Sequence, residues 1–177
     1  MKHFSPATVR ILLAISMALL VAAPFVLYPQ FLIEILCFAL LAAALNLLVS
    51  YCGLLSFGHA MFFGAAGYAT AHSIKMWGFD PALGILLGVG LAAVIGALTG
   101  SLAIRRQGIY FSMITLAFSQ LVYFMALRMP FTGGEDGLQD VPRRAMFGFI
   151  NMGNNYVMYF VVLALTAFGF FAIYRIV

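Results

Sequence analysis

Apolar residues in this chain come in long runs, and polar residues fall mostly in short clusters between them. About 20 apolar residues in a helix cross the hydrocarbon core of a bilayer. The pattern predicts six spans, at about 11–28, 31–51, 54–74, 82–104, 108–127 and 156–176. Pro29 and Gln30 mark the first turn. Trp77 to Pro81 form a turn with an interfacial tryptophan, and Arg105, Arg106 and Gln107 a tight basic turn. Residues 128–155 make the one long polar loop. The expected fold is all-α: a polytopic transmembrane helical bundle of about six helices, one domain over residues 1–177.

Composition agrees with that pattern. Hydrophobic residues are 65% of the chain and charged residues 8%, with a mean hydropathy of +1.10. A soluble domain needs far more charge to cover its surface. The net charge is +4 and the pI near 9.3. In a soluble chain that would point to nucleic acid. Here the basic residues sit at segment ends, so topology explains them and no nucleic-acid partner is expected. With the N-terminus in the cytoplasm, Lys2, Arg10, Arg105, Arg106 and Arg175 lie inside, and Lys75, Arg128, Arg143 and Arg144 outside. The tight Arg105/Arg106 turn and the basic N-terminus favour this orientation. The first segment also resembles a secretory leader, with Lys2, His3 and Arg10 before an apolar run. That run continues to Tyr28 without a small-residue cleavage site, so a retained first helix is expected.

Few residues offer chemistry. Cys37 and Cys52 have no metal-binding spacing and read as buried thiols. The acidic glycine-rich stretch Thr132 to Leu138 lacks the ligand spacing of an EF-hand. No phosphate-binding GxxxxGK motif occurs. With three His, two Cys and five acids, the chain has little equipment for catalysis. No metal, no cofactor bound by this chain and no enzymatic activity are expected.

The informative polar and small residues lie inside the spans. Gly84, Gly88, Ala92, Gly96 and Gly100 recur every fourth residue, a ridge that lets another helix approach closely, within the chain or from another subunit. Gly53, Gly58, Gly64 and Gly67 weaken the third span as a helix. Irregular backbone in a membrane must border protein or a wet cavity. Ser56 and His59 lie near the cytoplasmic end of that stretch, and His59 is either a structural hydrogen-bonder or part of a polar site. Ser112, Thr115 and Ser119 share a face of the fifth span, with Gln120 beside them; they either pack helices or line a solute path. Asn46, deep in the second span, poses the same choice, and Glu34 lies near the outer end of that span.

Three motifs resemble one family. Residues 45–68 run from Leu45-Asn46-Leu47 through Ser56-Phe57-Gly58-His59-Ala60 to Gly64-Ala65-Ala66-Gly67-Tyr68. This is similar to the pattern N-L-x-x-G-Y-x-G-x-x-S-L/F-G-H-A-x-F-x-G-x-G-A-Y of ABC-importer permeases for branched-chain amino acids. Residues 105–118, from Arg105 to Phe118, resemble that family's R-G-x-Y-F-A-x-x-T-L-A-F, and Thr132 to Leu138 its T-G-G-x-x-G-L loop, with Pro142 after it. The order is most like the second permease type of the heterodimer; urea and short-amide importers share this architecture. Cys52 and the order Ala66-Gly67-Tyr68 depart mildly from the pattern. The sequence given ends at Val177, where the family continues into an ATPase-docking cytoplasmic loop and further helices, so the expectation is a truncated permease, its N-terminal portion.

The resemblance implies a permease subunit in the inner membrane that moves branched-chain amino acids, or related small amides or urea. Its partners would be a second permease subunit, two ATPase subunits carrying ATP and Mg, a periplasmic solute-binding protein and the lipid bilayer. The path residues it points to are Asn46, Ser56, His59, Thr115, Ser119 and Gln120; the packing residues are Gly64, Gly67, Gly84, Gly88, Gly96 and Gly100. Gly133, Gly134 and Gly137 would face the binding protein. A non-transporting structural fragment is the alternative, and association with an ATPase separates the two.

Overall fold

A computed structural model describes residues 16, 19–105, 108–148 and 150–176. Five long helices dominate: α1 (Pro29–Leu47), α2 (His59–Met76), α3 (Pro81–Ala103), α4 (Ile109–Arg128) and α5 (Asn155–Ile176). The protein is all-α apart from a small hairpin, β1 (Ala145–Met146) and β2 (Ile150–Asn151). Most of the first expected span, 11–28, lies outside the described residues; its described end is helical over 19–22 and then a 3₁₀ turn over Ala23–Phe25.

Local chemistry sets the helix ends. Pro29 opens α1 with its ring-fixed φ, after an extended Tyr28. Asp80 caps α3, its carboxylate accepting the Ala82 N–H at 2.9 Å, and Pro81 follows as first residue. Asn154 accepts the Tyr156 N–H at 3.0 Å at the start of α5. Pro130 follows the end of α4. α1 runs on through a π-helical turn, Leu48–Cys52, and stops at Gly53 in the left-handed region (φ 63°).

Among the described residues four helices are long and apolar enough to span: Pro29–Cys52, Pro81–Ala103, Ile109–Arg128 and Asn155–Arg175. The expected third span, 54–74, differs. Residues 53–58 are irregular, and helix begins at His59. α2 falls outside the apolar set because two histidines, Lys75, hydroxyls and glycines dilute it. Such a helix belongs inside a bundle rather than in lipid.

Packing divides the helices. α1 pairs with α5 around buried Leu32, Ile33, Leu36, Tyr159 and Leu163. The Tyr159 hydroxyl donates to the Leu20 carbonyl at 2.6 Å, which draws the preceding segment onto this pair. α2 and α3 pack most closely, and α4 lies against both. Elsewhere large apolar side chains face outward, among them Leu86, Leu98, Phe168 and Phe171. That is ordinary for helices whose solvent is lipid or another membrane subunit.

The glycine ridge of α3 serves this packing only at one end. A Cβ on Gly84 would lie 2.9 Å from Ile74, and one on Gly88 would lie 2.6 Å from the Ala66 carbonyl oxygen. Thr70 adds a hydrogen bond from its hydroxyl to the Gly84 carbonyl at 3.1 Å. Gly96 meets only Phe62, at 3.8 Å, and Gly100 meets nothing within 4 Å. Four-residue steps advance the stripe by about 40° each at 3.6 residues per turn, so it spirals off the α2 contact.

Candidate functional site

The irregular segment between α1 and α2 is held by α4. The Ser112 hydroxyl donates to the Leu55 carbonyl at 2.6 Å, and the Phe57 N–H donates to Thr115 Oγ1 at 3.2 Å. Thr115 in turn donates to the Ser112 carbonyl at 3.0 Å, one helical turn back. Within the segment, the Gly58 N–H donates to Ser56 Oγ at 3.2 Å. Ser56, Ser112 and Thr115 are all buried. Non-helical backbone inside a membrane protein must find such partners. Gly58 permits the approach: a Cβ there would lie 3.3 Å from Thr115. His59 follows directly. Its Nδ1 is buried with no hydrogen-bond partner among the described residues, and its ring meets Phe62 edge-on at 6.1 Å.

Beyond this clasp a groove of about 830 Å³ opens between α2, α3 and α4. Ala60, Gly64, Tyr68 and His72 floor it along α2; Leu87, Leu91 and Ile95 come from α3; Ser119, Val122 and Tyr123 come from α4. Its walls are overwhelmingly apolar. The polar exceptions are Ser119, Tyr68, Tyr123, His72, Trp77 and Thr132, and among the described residues no Asp, Glu, Lys or Arg lines it. A second groove of about 730 Å³ runs between α2, α3 and the long loop, and shares Gly64 and Tyr68 with the first.

The long loop closes one end. Thr132 is buried, and its hydroxyl bonds the carbonyls of Ala126 and, at 2.6 Å, Met129. Gly133, Gly134 and Gly137 all have positive φ, and a Cβ on Gly133 would run into the Gly137 backbone. α2 grips the loop twice. His72 Nδ1 lies 3.0 Å from the Phe131 carbonyl, so that nitrogen carries the proton, and Lys75 donates to the Gln139 carbonyl at 2.6 Å. Arg143 reaches Asn155 at 2.6 Å and Gln30 at 3.4 Å, tying the loop to α5 and α1.

The expected site residues therefore separate. Ser56 and Thr115 meet in the clasp, with His59 next in sequence. Ser119 lines the large groove. Asn46 is exposed on α1 and accepts from Ser50 at 3.1 Å, and Gln120 is exposed on α4; neither lines either groove. Gly64 and Gly67 have nothing within 4 Å of a Cβ position and line grooves instead of a helix contact. In the sequence Tyr68 stands out only as the end of the 45–68 motif, and His72 not at all. Their signal is the four-residue stripe Ala60, Gly64, Tyr68, His72 on one helix. No group of three His, Cys, Asp or Glu able to hold a metal occurs among the described residues.

Comparison with known proteins agrees with this layout. The family described as "Branched-chain amino acid transport system / permease component" matches residues 27–176. The high-affinity branched-chain amino acid transport system permease protein LivM of Escherichia coli (strain K12) is 29% identical over 117 residues, 63% of this chain and 26% of that protein. The protein of the same name from Salmonella typhimurium is 28% identical over the same extent. The match thus spans about a quarter of these relatives' length. No solved structure matches. The match from residue 27 to residue 176, laid over membrane-spanning helices, the clasped Gly53–Gly58 segment and the glycine loop, places this chain in the permease-component family of branched-chain amino acid transport systems.

Proposed function

We propose that the chain forms part of a permease subunit of an ATP-driven importer in the cell inner membrane, moving a branched-chain amino acid or a related small amide or urea. The large groove between α2, α3 and α4 carries this reading. An aliphatic amino acid is a zwitterion with an apolar side chain. Apolar walls without ionised side chains suit that side chain, while Ser119 at one position and Tyr68 and His72 further along α2 offer polar contacts. A solute with a net charge would find no counter-ion there, which is costly, whereas a zwitterion carries its two opposite charges side by side.

In this reading a second permease subunit completes the path. Two ATPase subunits hold ATP and Mg, and a periplasmic solute-binding protein delivers the solute. The N-terminus and the Arg105 turn face the cytoplasm, so the loop with Gly133, Gly134 and Gly137 faces the binding protein. The clasp of Ser56, Ser112 and Thr115 keeps the backbone beside the path satisfied while helices shift.

The test is transport by the assembled complex in proteoliposomes carrying Ser119→Val. One lost hydrogen bond of about 0.5–1.5 kcal/mol lowers transport roughly two- to tenfold. Unchanged transport with normal assembly would remove Ser119, and the groove with it, from the path.

A further inference from the structure

We propose that the hairpin between α4 and α5 is an anchor in the bilayer interface, with Phe147 inserting its ring among the lipid headgroups beside Trp77 and Phe79. Three observations lead there.

The first is depth. The Phe147 N–H donates to Asp80 Oδ2 at 2.8 Å, while Oδ1 of the same carboxylate caps α3 through Ala82. One side chain therefore fixes the hairpin tip at the level where a membrane span begins. The second is composition. The tip side chain Phe147 is 60% exposed. Trp77, equally exposed, and Phe79 lie in the same α2–α3 turn, their rings edge-on at 5.5 Å. Arg144 crosses this turn and donates to the Gly78 carbonyl at 3.0 Å. Aromatic rings with an adjacent guanidinium are what the boundary between headgroups and acyl chains favours. Leu83 and Leu86, exposed on the first turns of α3, continue the apolar surface toward the hydrocarbon.

The third is conformation. The two-residue ladder, Ala145 opposite Asn151 and Met146 opposite Ile150, is joined through residues 147–149, of which Phe147 (φ 54°) and Gly148 (φ 78°) have left-handed backbone. A positive φ is rare for a bulky aromatic such as Phe147. Backbone outliers of this kind gather at functional positions, which makes the tip a candidate for one. A soluble partner is the competing occupant. The lipid is favoured because the patch sits at the end of a span and merges with the exposed leucines below it.

Trp77 is the chain's sole tryptophan, so it reports on the patch without any substitution. The full chain is reconstituted in phosphatidylcholine/phosphatidylglycerol vesicles whose acyl chains are brominated either near the headgroup or near the bilayer centre. A second sample carries Trp77→Phe with Phe147→Trp. Both tryptophans should be quenched several-fold more by the shallow bromines than by the deep ones, and weakly by aqueous acrylamide. Strong acrylamide quenching with no bromolipid quenching at position 147 overturns the proposal. A tryptophan at 147 that loses acrylamide access only when a soluble solute-binding protein is added overturns it too, and assigns the tip to that protein. Should the double variant fail to insert, Phe147→Ser with native Trp77 decides: the anchor requires Trp77 to become more accessible to acrylamide, and unchanged accessibility overturns it.

Discussion

Thr115→Val is the substitution that tests the clasp most directly. Valine keeps the branched shape, so the contact with Gly58 survives, but it loses the oxygen that accepts the Phe57 N–H at 3.2 Å. Thr115 is only 5% exposed, so water does not readily replace that partner. The hydroxyl's own bond to the Ser112 carbonyl matters less, because that carbonyl also serves the α4 helix ladder. The dominant loss is one unsatisfied, part-buried backbone donor, about 1–3 kcal/mol. Ser112→Ala removes the other pin, at 2.6 Å, and leaves the Leu55 carbonyl without it; an intramolecular hydrogen bond of this kind is worth roughly 0.5–1.5 kcal/mol. Both pins hold the same six-residue segment, so once one is cut the second holds less. The double variant should cost less than the sum, with a coupling of at least about 0.5 kcal/mol. Reversible unfolding in mixed micelles measures the energies, and amide exchange over residues 53–58 localises them. Met113→Ala on the exposed face of α4 is the control. If Thr115→Val leaves both stability and exchange at Phe57 unchanged, the segment is not held by α4.

Three further outcomes follow from the geometry. Gly88→Ala must push α2 and α3 apart, because its methyl would meet the Ala66 carbonyl, and should cost about 1–3 kcal/mol in the same unfolding assay. Gly100→Ala, with open space around it, should be neutral or stabilising by up to about 1 kcal/mol, the helix-propensity difference; equal effects at the two sites would contradict the spiral of the ridge. Both glycines of the Gly133-Gly134 pair have left-handed φ, 82° and 64°, but only Gly133→Ala adds a collision with the Gly137 backbone, Gly134→Ala meeting nothing nearer than 3.6 Å, so limited proteolysis should cut the loop faster in the first than in the second.

Much of the helical layout was legible because its signals are local. Pro29, the Asp80-Pro81 pair and Pro130 act on their own backbone and mark the ends where the helices end. Gly53 and Gly58 signalled irregular backbone before α2, but where its helix begins was not legible. Residues 54–58 are apolar enough to read as membrane span, and the irregular path depends on Ser112 and Thr115, more than fifty residues away. The hydroxyl face of α4 posed a choice between packing and path. The structure divides it: Ser112 and Thr115 hold backbone, and Ser119 one turn on meets the groove. Spacing alone cannot show that division, since all three share one face. Asn46 and Gln120 were singled out as polar residues in apolar runs, but polarity does not say which way a helix turns, and both are exposed and line neither groove.

Arg143 has a mechanical consequence. Its guanidinium supplies the side-chain hydrogen bonds that join the α1–α5 pair to the rest among the described residues, through Asn155 and Gln30 at one end of the bundle. At the opposite end the two groups are linked by backbone turning at Gly53. A shift of the α1–α5 pair against the other helices must therefore stretch these polar ties and part the Phe38 and Phe63 rings, which meet at 6.1 Å between α1 and α2.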